Sequence, residues 1–172
     1  MADTVTRSRL PRRLATVAVT AVLATGTALV VAPDALAVTK LSQSTAASRL
    51  AAAGITHSSS GGCTTRSNPT CTSYEQINST TVAGAVTLRN ASGCAINITG
   101  GTEVGHASGT YSHYNGYKID ITKYTCIGNY IKGNFTYVGL HGDGYPQWRA
   151  ASGNLYCDEG SHWDITYYTS GG

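Results

Sequence analysis

Charge is scarce in this chain. Asp, Glu, Lys and Arg make up 12% of its 172 residues, about half the share of an ordinary globular domain. Twelve basic side chains face nine acidic ones, and four of the arginines (Arg7, Arg9, Arg12, Arg13) crowd into the first thirteen residues. Setting aside residues 1–37 removes those four with Asp3 and Asp34, which leaves eight basic against seven acidic groups. A body so near neutrality has no basic stripe with which to neutralise phosphates, and nucleic acid is excluded as a partner. The five cysteines contain no C-x-x-C pair, so the usual spacing of a structural zinc site is missing. No internal repeat or low-complexity tract appears. Long apolar runs are confined to one place, Leu14 to Ala32.

That run follows the arginine cluster and precedes Ala35-Leu36-Ala37, an A-x-A site, so residues 1–37 read as a secretory signal peptide. Four threonines interrupt it, which speaks against a membrane anchor. The expectation is a secreted protein, extracellular or cell-wall-associated, monomeric, and free of the membrane once the signal is cleaved. The remaining 135 residues suffice for one domain with its own core. Tyrosine, threonine and serine dominate its polar surface, which suits contact with glycan or peptide.

Export favours oxidised cysteines. Cys63 and Cys71 flank a turn-rich segment and are expected to form a local staple. Cys94 precedes a strand at about 95–99 and Cys126 follows one at about 117–122; antiparallel neighbours would join them. Cys157 is left over, either an unpaired thiol or, two residues before Glu159, a catalytic or metal-binding one. A helix is expected over Ser44–Ala53 with Gly54 as its cap, its Leu41, Leu50 and Ile55 able to dock on the domain. A second helix is expected from Thr72 or Ser73, on a capping-box reading of Ser73 to Gln76, and a third over Thr80–Ala91 ending at Gly93. Further strands fall at about 134–139 and 162–168, with turns at 142–144 and 151–154. Helices first and antiparallel strands after make an α+β domain, a small antiparallel sheet with helices packed on one side.

Two segments carry the chemistry. Ser112–Ile121 places His113 seven residues before Asp120, and Glu159–Ile165 places Glu159 three before His162. Two imidazoles and one carboxylate are a common protein shell for catalytic zinc, with a fourth position open for water. A spare glutamate beside such a site is the usual base for that water. Alternation on 117–121 turns Lys118 and Asp120 to one face and Ile119 and Ile121 to the other. On 162–167 it separates His162 and Asp164 from Trp163 and Ile165, and it sends Trp163 towards the core. Each of these polar groups could equally be an ordinary strand-end residue. Asp158 or Asp164 could hydrogen-bond a ligand histidine. His106 has three readings: it faces substrate, orders its loop, or binds a second metal. Tyr111, Tyr114 and Trp148 could wall a groove.

The run Ile98–Ile121 followed by Glu159–Asp164 resembles the D-Ala-D-Ala metallopeptidases, the zinc carboxypeptidases, dipeptidases and endolysins that cut peptidoglycan stem peptides. It is similar also to the zinc-bearing signalling domain of hedgehog proteins. The resemblance spans roughly residues 73–167, so the chain divides into 1–37 (signal peptide), 38–72 (helix and disulfide-stapled linker) and 73–172 (zinc peptidase-like domain). It implies His113, Asp120 and His162 as zinc ligands and Glu159 as general base, in a hedgehog/DD-peptidase-like fold. Such peptidases often hold a substrate carboxylate with an arginine just after the strand that leads into the metal loop. Thr99–Glu103 has none here, and Arg149 is the nearest substitute. With His106 and Tyr114, Arg149 completes the expected substrate-binding set. Two functions stay open: a secreted zinc peptidase acting on cell-wall peptide, and a zinc-stabilised binding module for cell-wall or protein ligands. Retention of Glu159 favours the enzyme.

Overall fold

A computed structural model describes residues 38–171; the signal-peptide reading lies outside them. Twelve elements follow in order among the described residues: β1 (Lys40–Leu41), α1 (Gln43–Ala52), β2 (Thr56–His57), β3 (Ile77–Asn78), α2 (Ser79–Ser92), β4 (Asn97–Gly100), β5 (Lys118–Thr122), α3 (Thr125–Asn134), β6 (Thr136–Leu140), β7 (Pro146–Arg149), β8 (Leu155–Asp158) and β9 (His162–Thr166). The class is α+β. Strands β1 and β3 form a small antiparallel pair, and the other seven make one mixed sheet ordered β2-β4-β5-β9-β8-β7-β6. Only β2 with β4 is parallel; every other neighbouring pair is antiparallel. The sheet is thus larger than the four strands the sequence suggested.

Alternation builds the two faces. Ile119, Ile121, Trp163, Ile165 and Tyr156 enter one core with Leu50 of α1, Val82, Ala85 and Leu88 of α2, and Ile127 and Ile131 of α3. Lys118 and Asp120 of β5 and His162 and Asp164 of β9 stand on the opposite face, where they line a cleft. Leu41, Leu50 and Ile55 are buried, so the segment before residue 72 contributes to the same core. Helix α1 starts one residue earlier than expected because the Ser42 hydroxyl accepts from Thr45 N–H.

The helix expected from Thr72 or Ser73 does not form; α2 begins at Ser79. The groups a helix would use there are engaged elsewhere. Ser73 N–H donates to Glu103 Oε2 at 2.7 Å, the Ser73 carbonyl accepts from Thr102 N–H, and Gln76 takes a left-handed φ of 65°. Helix α3 was not anticipated, with Gly128 and Gly133 inside it, and its hold on the core is the Ile127–Ile131 pair one turn apart. Strands β7 and β8 were missed as well. Both expected disulfides are present, Cys63–Cys71 and Cys94–Cys126, and Cys157 is free and buried. Cys126 follows β5, as expected, in the first turn of α3. Among the described residues no helix is long and apolar enough to cross a membrane.

Candidate metal site

The β5–β9 ladder is the foundation. Its register sets Asp120 opposite Asp164 and Thr122 opposite His162. Both aspartates are buried, at 7% and 8% exposure. Like charges facing across a ladder repel, so the fold must supply positive partners. Lys118 Nζ donates to Asp164 Oδ2 at 2.8 Å. His113 brings Nε2 to 3.3 Å from Asp120 Oδ1 and 3.6 Å from Asp164 Oδ2.

His113 comes from a turn that Gly116 closes. Gly116 has φ 78°, and a Cβ there would stand 2.6 Å from the Gln76 carbonyl oxygen. Its N–H returns to the His113 carbonyl at 2.7 Å. The His113 Nδ1 sits 2.8 Å from the Gly101 carbonyl, so Nδ1–H donates and Nε2 is left for the cleft. Gly100 is needed for a different reason. A Cβ on it would collide with the Asp120 carboxylate, so only glycine lets β4 lie this close to β5 at that point.

Asp120 divides its two oxygens. Oδ2 is 3.7 Å from His106 Nδ1. Oδ1 is 3.3 Å from His113 Nε2 and 3.6 Å from His162 Nε2, and it accepts no protein hydrogen bond. His106 stacks on His113 with centroids 3.8 Å apart, and its Nε2 lies 3.1 Å from Glu103 Oε1. His106, His113 and Asp120 form a group that could hold a metal ion, each offering a ligand atom within 4.8 Å of the others. His162 reaches the same Asp120 oxygen from β9, and Glu159 Oε2 stands 3.3 Å from His162 Nε2. The four residues singled out in the sequence therefore meet at one cleft of about 190 Å³.

Electrostatics follow from this crowding. Burial alone would lower the His113 proton affinity, but Asp120 and then Asp164 outweigh it and hold the ring up at about 10. Burial, then the Asp164 charge, pushes the Glu159 carboxyl above its ordinary value, as suits a proton acceptor. Cys157 lines the neighbouring part of the cleft with Lys118 and Asp164, and burial drives its thiol up to about 12.

Other expected residues fall differently. Asp158 serves no site histidine; it is bound by Lys123 and by Lys132, the latter at 3.1 Å. Arg149 lies exposed on β7 and lines none of the clefts around the site. Tyr114 is half exposed, and the Arg66 guanidinium stacks on its ring at 3.7 Å while donating to its carbonyl. Trp163 is in the core, and Trp148 packs edge-on against it rather than walling a groove.

Sequence reasoning missed Glu103, which is 2% exposed. Its carboxylate gathers Ser73 N–H, Gly101 N–H and His106, so one anion orders the β4–β5 loop and ties it to the segment before β3. The Gly100-Gly101 pair beside it was the available signal, since paired glycines mark a close backbone approach. Asp143, at the tip of the β6–β7 hairpin, also lines the cleft and pairs with His141 at 2.8 Å. No family model matches this chain, and comparison with the curated proteins and with the solved structures finds no match either.

Proposed function

We propose that this protein is a secreted zinc-dependent peptidase that cuts peptides of the bacterial cell wall. The observation that carries the reading is the convergence on Asp120 Oδ1 of His113 Nε2 and His162 Nε2 at 3.3 and 3.6 Å, with Glu159 alongside. Zinc bonds of about 2.0–2.1 Å in a tetrahedral shell put neighbouring ligand atoms about 3.3–3.4 Å apart. The His113–Asp120 and His162–Asp120 separations are close to that value. Two imidazoles and a carboxylate are a donor set that suits zinc, and the orphaned, buried Asp120 Oδ1 is a group that a cation would satisfy.

Zinc bound there would polarise the scissile carbonyl and make its water acidic near neutral pH. Glu159, beside His162 at the mouth of this group, is the residue that would take up a proton from a zinc-bound water and pass it to the departing amine. His113 is held by the Gly101 carbonyl, so its Nε2 keeps one direction. Asp120 is steadied through Oδ2 by His106, which Glu103 anchors in turn. The export signal, the two disulfides and the family resemblance support a cell-wall substrate, and the lack of an arginine in Thr99–Glu103 favours cutting within a peptide over trimming a free carboxyl end.

The test is incubation of purified protein, zinc-loaded and zinc-stripped, with peptidoglycan fragments, followed by mass spectrometry. New amine and carboxyl termini that depend on zinc are expected. Stoichiometric zinc with no cleavage of any muropeptide would replace the peptidase reading with that of a binding module.

A further inference from the structure

Asp164 is costly where it stands. Its neighbours Trp163 and Ile165 are fully buried on the core side, so β9 needs apolar residues there, but nothing in the core asks for a carboxylate between them. The register sets it directly across from Asp120. Both residues are more than nine-tenths buried, and in each the Oδ1 atom has no donor. Lys118 supplies one hydrogen bond, to Asp164 Oδ2. Among the described residues Lys118 is the one fixed cation facing the two buried carboxylates. His113 compensates them only while Nε2 keeps a proton, so with that proton displaced the pair is short of positive charge.

The missing charge has a location. Asp164 Oδ2 lies 3.6 Å from His113 Nε2, which matches the 3.6 Å between His162 Nε2 and Asp120 Oδ1 and approaches the 3.3 Å between His113 Nε2 and Asp120 Oδ1. Each of these separations is close to that between adjacent donors around a small ion, and His113 Nε2 and Asp120 Oδ1 are the atoms they share. His106, by contrast, addresses the other oxygen of Asp120 and is occupied by Glu103.

We infer that Asp164 is a fourth metal ligand of this cleft, a carboxylate shared between the ion and Lys118. This rests on the reading that the cleft holds zinc, and is independent of which bond is cut. Lys118 competes for the Asp164 oxygen nearest His113, so it weakens the fourth contact and keeps that position exchangeable. The cleft then differs from a three-ligand site in holding its ion more tightly, with an affinity that Lys118 sets.

Zinc competition titrations against a chromophoric chelator test this on the wild type, Asp164→Asn, Lys118→Met and the double variant. Asp164→Asn is expected to lose about 10–100-fold in affinity, the range seen when groups supporting a metal shell are removed. Lys118→Met is expected to gain several-fold, and that gain is expected to vanish in the double variant, because it acts through Asp164. The visible spectrum of the cobalt-substituted protein is expected to change on Asp164→Asn. Zinc affinity of Asp164→Asn within twofold of wild type, or an unchanged cobalt spectrum, overturns the inference and leaves the zinc site standing. A wild type that binds no zinc overturns both. If Asp164→Asn does not fold, Lys118→Met decides alone: no gain in affinity refutes the shared carboxylate.

Discussion

Replacing Glu159 by glutamine separates holding a metal from using it. Glutamine keeps the shape of the side chain and loses only the capacity to take a proton. The backbone contact that shapes this loop, Glu159 N–H to the His162 carbonyl at 3.1 Å, does not involve the side chain and persists. Glu159 Oε2 approaches His162 Nε2 at 3.3 Å, whereas His162 also reaches Asp120, so the imidazole keeps its place in the variant. Burial, Asp164 and Asp120 all raise the Glu159 proton affinity, so removing its charge from this acidic corner costs the fold little. A lost general base costs about 10²–10⁴ in rate, which corresponds to about 2.7–5.5 kcal/mol of barrier. The expected outcome is zinc content and melting temperature near wild type, with kcat on a cell-wall peptide down by that factor. The assay is steady-state cleavage by chromatography, paired with metal analysis on the same sample. Activity within a few-fold of wild type at full zinc occupancy would refute the role given to Glu159.

Alanine in place of both Cys94 and Cys126 is expected to cost about 3–4 kcal/mol by the loop-entropy argument, and loss of Cys63 with Cys71 about 1 kcal/mol less, since the first pair spans 32 residues and the second eight; denaturant midpoints check the order. Cys157, buried and with its thiol up at about 12, is expected to ignore a thiol reagent at pH 8 in the native state and to react as one thiol per chain after unfolding without reductant. Gly84→Ala is expected to lower the melting temperature: its Cβ would stand 2.5 Å from Tyr167 Cε1, a ring with no room to move, and overpacking of about 1–3 kcal/mol exceeds the roughly 1 kcal/mol gained in helix propensity. Asp158→Asn is expected to destabilise by about 1–2 kcal/mol at neutral pH. Burial raises that carboxyl, but Lys123 and Lys132 pull it below its ordinary value. The difference from wild type is therefore full above about pH 4 and closes as pH falls through the depressed value; urea melts from pH 2 to 7 measure it.

What could be read from the chain was whatever a short stretch decides by itself. Strands β5 and β9 are apolar on one face and polar on the other, so the alternation Lys118-Ile119-Asp120-Ile121 and His162-Trp163-Asp164-Ile165 announced both their core-facing and their cleft-facing residues. Helix α2 ended at Gly93 as expected. The Ser73–Gln76 capping pattern misled because its groups were claimed by Glu103 and Thr102, some thirty residues further along the chain. Helix α3 was hidden by its two glycines, which propensity counts against a helix and which two isoleucines packed in the core outweigh.

The site divides along the same line. His113, Asp120, Glu159 and His162 lie in two compact segments, and the pattern within each was sufficient to single them out. Glu103 and Arg66 beside them were not legible, because each acts across the fold, and for Asp164 the facing was legible but not its partner. Glu103 matters through Ser73 and His106. Arg66, inside the Cys63–Cys71 loop, reaches the Thr102 and Tyr114 carbonyls. Asp164 faces Asp120 only because β5 and β9 pair in this register after an intervening α3 and three strands. A shift of one residue in that pairing would turn the carboxylate into the core and Trp163 into the cleft. The buried Trp163 and Ile165 forbid that shift at a cost of several kcal/mol. The apolar face of β9 therefore determines where the acidic face of the cleft must stand, and the metal chemistry proposed for Asp120 and Asp164 rests on the packing of the residues between them.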